Sequence, residues 1–184
     1  MKPNLLRKSY AAMVALCIAM LAMPTKMHAQ EKYDLIIAGE QVTAKNCNDL
    51  SVISGVKGSV RYYPKNKILW LENAGIEATG EAHGISSKIK GLMIVVRGDN
   101  TISADGGAAI NTENAYCTLT GKGKMKLHGK SFGLHATNNA GITIDGCTIE
   151  SDGSIGAEKG NTEITIIRAT SQQREAHTKR CAAL

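Results

Sequence analysis

The 184 residues carry 22 bases against 16 acids, 19 glycines and only 4% aromatics. A chain of this length bounds one domain of ordinary size, and the scarcity of Phe and Trp excludes an aromatic-rich core in favour of stacked aliphatics and tight turns. The formal charge of +6 misleads: four of the bases lie in 1–29, and four bases and one acid lie from Arg168 onward, which leaves 14 bases against 15 acids over 30–167 and no argument for nucleic acid.

Residues 1–29 read as an export signal. Lys2, Arg7 and Lys8 precede an apolar run from Ala11 to Ala22, and a short polar stretch ends at Met27-His28-Ala29. The run is too short for the ~20 residues that span a bilayer, so no stable membrane span is expected after cleavage near Ala29. The expected location is the periplasm, the cell surface or the outside of the cell. Export permits disulfides, and the mature chain has Cys47, Cys117, Cys147 and Cys181. The plainer reading makes Cys117 and Cys147 buried thiols; a bridge between them needs α-carbons within about 7 Å. No Cys/His spacing of a zinc site is present.

Residues 30–73 predict a β-rich N-terminal cap. KYDLIIAG and QVTA read as two strands around Gly39-Glu40, NCNDLSVIS as a turn or single helical turn, and GSVRYY with ILWLEN as a hairpin about Pro64-Lys65-Asn66-Lys67. A solenoid needs such a piece to cover its first open strand edge.

From 74 to 168 the chain repeats itself. Ile85, Ile110, Leu134 and Ile155 recur at gaps of 25, 24 and 21 residues, and Ile94, Leu119, Ile144 and Ile166 at 25, 25 and 22. Within each opening strand apolar residues alternate (Leu92, Ile94, Val96; Cys117, Leu119; Ile142, Ile144; Ile164, Ile166), so one side chain in two points inward. Gly-containing turns separate the strands, and no segment has helical apolar spacing. A period in the low twenties built of three short strands predicts an all-β fold, a right-handed parallel β-helix of about four rungs. The polar stretch 169–184 has no Gly turn and reads as a disordered tail.

The segments LIIAGEQVT (Leu35–Thr43), LWLENAGI (Leu69–Ile76), GLMIVVRGDNTI (Gly91–Ile102) and TIDGCTI (Thr143–Ile149) carry a resemblance. In these lines the chain resembles exported bacterial carbohydrate-binding domain-containing proteins with a pectate-lyase-like parallel β-helix. The resemblance covers most of 33–167 and rests on Gly, Asn and aliphatic scaffold positions. It implies binding of plant polysaccharides or acidic sugars, in some members with calcium. The chain departs from that family in stopping after about four rungs without a recognisable C-terminal cap, which fits a truncated gene product.

Trp70 is expected to point outward from ILWLEN, because Leu69 and Leu71 hold the inward phase. Flanked by Tyr62 and Tyr63 on the partner strand, it would offer a platform for a sugar ring; the plainer alternative packs it under the cap segment. Lys124 and Lys126 are candidate contacts for acidic sugars. The acids suggest calcium, which takes six to eight oxygens, but the expected stacking of Asp99, Lys122 and Asp145, and of Asp105, Lys130 and Asp152, alternates sign along two edges and reads as surface ion pairs. No metal or other cofactor is therefore expected. His83, His128 and His135 share no triad or metal spacing, and no acid pair suggests a glycosidase. Asn100, Asn114, Asn138, Asn139 and Asn161 fall at rung corners and read as scaffold. The expected function is non-catalytic binding of extracellular or cell-surface polysaccharide. Two alternatives stay open, a calcium-dependent polysaccharide lyase and a structural or adhesive module that associates end to end.

Overall fold

Leu69, Ile94, Leu119, Ile144 and Ile166 form one column, each directly opposite the next across parallel strands. A second column holds Ile85, Ile110, Leu134 and Ile155. These columns follow from the repeat: each circuit of the chain returns an aliphatic to the same inward position, one strand spacing further along. The computed structural model describes residues 31–158 and 160–167, and the backbone of 171–173. The expected export signal and most of the expected tail lie outside the described residues.

The strands, in order, are β1 (Lys32–Ile37), β2 (Glu40–Thr43), β3 (Val56–Tyr63), β4 (Ile68–Ala78), β5 (Ile85–Ser87), β6 (Leu92–Arg97), β7 (Asp99–Ala104) and β8 (Ile110–Glu113). They continue as β9 (Tyr116–Gly121), β10 (Lys124–Gly129), β11 (Phe132–Thr137), β12 (Gly141–Asp145), β13 (Thr148–Ser151), β14 (Ser154–Glu158), β15 (Glu163–Ile166) and β16 (Ser171–Gln173). From β4 onward they coil into a parallel β-solenoid of about four turns. A first face stacks the start of β4 on β6, β9, β12 and β15. A second stacks the end of β4 on β7, β10, β13 and β16, and a third stacks β5, β8, β11 and β14.

The cap closes two of these faces with antiparallel strands. β1 lies on β5 and turns back into β2 through Ala38 and Gly39, whose φ of 49° and 83° give the doubly left-handed turn of a tight hairpin. β3 lies on β4, and a single 3-10 turn, Leu50–Val52, precedes it. Leu35, Ile37, Leu50, Ile53 and Val60 are buried together with the rung aliphatics in one continuous cluster. At ~1.5–3 kcal/mol for each fully buried Leu, Ile or Val, this column-and-plug core is the main stabilising element.

Two boundaries differ from the sequence reading. ILWLEN, which the sequence assigns to the cap, also opens the first rung, because β4 bonds β3 along one edge and β6 along the other. Ser171–Gln173, placed in the disordered tail, adds a strand to the second face through backbone pairing with β13, which needs no apolar side chain.

The corner asparagines hold the rungs. Asn100 is buried; its carbonyl accepts the Ala74 N–H at 2.9 Å, and its amide donates to the carbonyls of Arg97 at 2.9 Å and Lys124 at 3.2 Å, joining three rungs. Asn114, Asn138 and Asn139 take left-handed φ of 53°, 56° and 60°, conformations that Asn tolerates better than most residues.

Candidate functional site

On a strand adjacent residues point to opposite sides, and this separates the aromatic trio read from the sequence. Tyr63 is 41% exposed, whereas Tyr62 is 3% exposed. Tyr62 stands opposite Leu69, turned into the core, where its ring meets the edge of Tyr33 at 5.2 Å and burial pushes its phenol pKa up. Tyr62 is therefore a core residue and no part of a binding face. Trp70 points outward as expected, but its neighbours are Arg61 on β3 and Val95 on β6. The Arg97 guanidinium sits 5.0 Å from the Trp70 ring centroid, and the indole N–H donates to Glu72 Oε2 at 3.3 Å. One face of the indole is thus covered by this chain's own cation.

Lys124 and Lys126 lie on the second face, beyond the bend at Gly98 and Gly121–Gly123, so they do not share a face with Trp70 and Tyr63. Lys124 Nζ is held by Glu150 Oε1 at 2.6 Å, and Lys126 is exposed between Thr101 and Glu150. The two acid-base ladders take other partners than expected. Asp99 stands opposite Lys124 and Asp145 opposite Thr120, leaving Lys122 on the corner, because Gly121-Lys122-Gly123 forms the turn between β9 and β10. Asp152 meets His128 Nδ1 at 2.5 Å instead of Lys130, and Lys130 stands beside Gly107, to whose carbonyl its N–H donates. Among the described residues no group of three or more His, Cys, Asp or Glu is placed to share a metal ion.

The other candidate groups are bonded into the scaffold. His83 Nδ1 accepts the Ala108 N–H at 2.9 Å, and burial, reinforced by nearby His135, holds its pKa below the ordinary 6.5. His135 stacks on Phe132 with centroids 4.2 Å apart. Cys47, Cys117 and Cys147 are free, buried thiols. Cys117 stands between Leu92 and Ile142, while Cys147 occupies the corner after β12, so the 117–147 bridge is not formed. Burial raises both thiol pKa values to about 11.

What the first face does present is an uncharged strip. Tyr63, Ile68, Met93, Thr118, Thr143 and Thr165 stand opposite one another across six adjacent strands. At about 4.8 Å per strand the strip is about 24 Å long. Tyr63 and Met93 are 41% and 40% exposed.

Beside the strip, at the corner between the third and first faces, Tyr116 is 52% exposed. Its ring lies against Gly141 of the next rung: a Cβ there would fall 2.5 and 2.6 Å from two ring carbons. Tyr116 borders a groove of about 460 Å³ whose other lining residues are Lys90, Gly91, Asn114, Ala115 and Asn139. The sequence reading passed over Tyr116, although its position one residue before inward Cys117 was signal enough to place it outside. No family model, curated protein or solved structure matches the chain.

Proposed function

We propose that this chain is a non-catalytic polysaccharide-binding module that works outside the cytoplasm. The observation that carries this reading is the uncharged outward strip from Tyr63 to Thr165. Sugars present flat apolar C–H faces between rings of hydroxyls. A row that alternates no charge, offers Tyr, Ile and Met at one end and Thr hydroxyls at the other, meets both demands. The rungs are rigid and pre-formed, so little side-chain or loop ordering opposes binding. Weak contacts at successive strands then add along one bound chain, as linked sites do.

The reading moves the binding surface from the Trp70–Tyr62–Tyr63 cluster and the second-face lysines to the strip, keeping Tyr63. The test is retention of the purified protein on neutral and uronate polysaccharides, with and without calcium, while the polymer is followed for cleavage. Retention without cleavage is expected, weakened by Met93→Lys. Appearance of unsaturated product with calcium would replace the reading with a lyase. A well-folded protein retained on none of them would leave a structural module as the better account.

A further inference from the structure

The groove at Tyr116 has the parts of a sugar subsite. The Cδ1–Cε1 edge of the Tyr116 ring lies beside Gly141 and the residue is 52% exposed, so the ring is braced along one edge while much of it stays open. Only glycine permits this: a Cβ at 141 would strike the ring itself.

The two amides at the groove are oriented by bonds that use one end of each. Asn139 Oδ1 accepts the Asn161 N–H at 3.0 Å, and Asn114 Nδ2 donates to Glu113 Oε1 at 3.4 Å. Asn139 keeps its Nδ2 donor, and Asn114 its Oδ1 acceptor, without a protein partner among the described residues. One free donor and one free acceptor on left-handed corners suit the paired hydroxyls of a sugar ring. Lys90 supplies a further donor, and its carbonyl is tied by Lys67 Nζ at 3.0 Å, which secures the corner. No carboxylate lines the groove, and its floor at Gly91 and Ala115 is small. A volume of about 460 Å³ lies within the usual range for small-molecule sites.

We propose that this groove binds one pyranose ring of the glycan, stacked on Tyr116 with hydroxyls on Asn114, Asn139 and Lys90. The proposal rests on the polysaccharide reading and deepens it. Tyr116 lies two residues before Thr118 on the same side of β9, so a ring seated here continues directly onto the strip.

The test is calorimetric titration of the full chain with a short neutral glucan oligosaccharide and a short polyuronate oligosaccharide. Tyr116→Ala is expected to weaken binding about tenfold and Tyr116→Phe to keep most of it. Gly141→Ala, which displaces the ring without removing it, is expected to weaken binding as Tyr116→Ala does, with circular dichroism and melting unchanged. Should the native chain bind and Tyr116→Ala and Gly141→Ala bind equally well while Met93→Lys does not, the subsite is overturned and the polysaccharide reading stands. Should the native chain bind neither oligosaccharide nor any polysaccharide, both fall.

Discussion

Arg97 sets its guanidinium 5.0 Å from the ring centroid of Trp70, one strand away and near the bend between two faces. A cation over an indole is held by the ring's quadrupole, and here it covers one face of the ring on which a sugar could otherwise stack. Trp70 is the only tryptophan in the chain, so its environment can be followed directly. Arg97→Ala is expected to shift its emission to longer wavelength and to cost about 0.5–1 kcal/mol of stability. Trp70→Ala should lower the melting temperature and leave glycan retention nearly intact; loss of retention with an intact fold would return Trp70 to the binding surface.

A charge placed on the strip tests that surface separately from the core. Thr118→Glu and Met93→Lys replace outward side chains, so stability should move by no more than about 0.5 kcal/mol. Retention on polysaccharide should fall severalfold in both. The paired control is Lys126→Ala on the second face, expected to leave retention unchanged.

Asn100 joins three rungs from a buried position. Asn100→Leu is close in size but removes every one of these bonds and strands the Ala74 N–H. Each buried group left unpaired costs about 1–3 kcal/mol, so the midpoint of denaturant unfolding should fall substantially. Unchanged stability would mean that water replaces the side chain.

The pH dependence has a definite sign. Burial depresses the folded pKa of His83 below 6.5, so the unfolded chain binds a proton there more readily than the folded one. The stabilisation is present above pH 6.5 and is lost as pH falls through the folded value. Melting temperature should therefore decline on acidification from pH 7 to 5, and less steeply in His83→Gln.

The thiols offer a kinetic readout of the core. With pKa values of about 11, Cys117 and Cys147 are protonated at neutral pH, and the thiolate is the reacting species. Both should resist a thiol reagent in the native protein and react fully in denaturant. Rapid labelling of Cys117 under native conditions would contradict its place between Leu92 and Ile142.

The repeat was legible in the sequence because its cause is local and periodic. Alternation fixes which side of a strand an aliphatic takes, and a constant spacing between glycine turns makes the same phase recur, so the columns through Ile94 and Ile110 could be named residue by residue. The corner roles of Asn114, Asn138 and Asn139 were legible for the same reason, since left-handed corners select Asn. What the sequence could not supply was the register of neighbours. Whether Asp99 meets Lys122 or Lys124 turns on two residues at a glycine corner, and whether Trp70 lies beside Tyr63 or under Arg97 depends on how β4 serves the hairpin and the first rung at once. Tyr62 could have been placed inside by parity alone. The groove at Tyr116 could not, because it is assembled from corners about 24 residues apart in the chain, and only stacking of the rungs brings the ring edge beside Gly141 and the two amides into one groove.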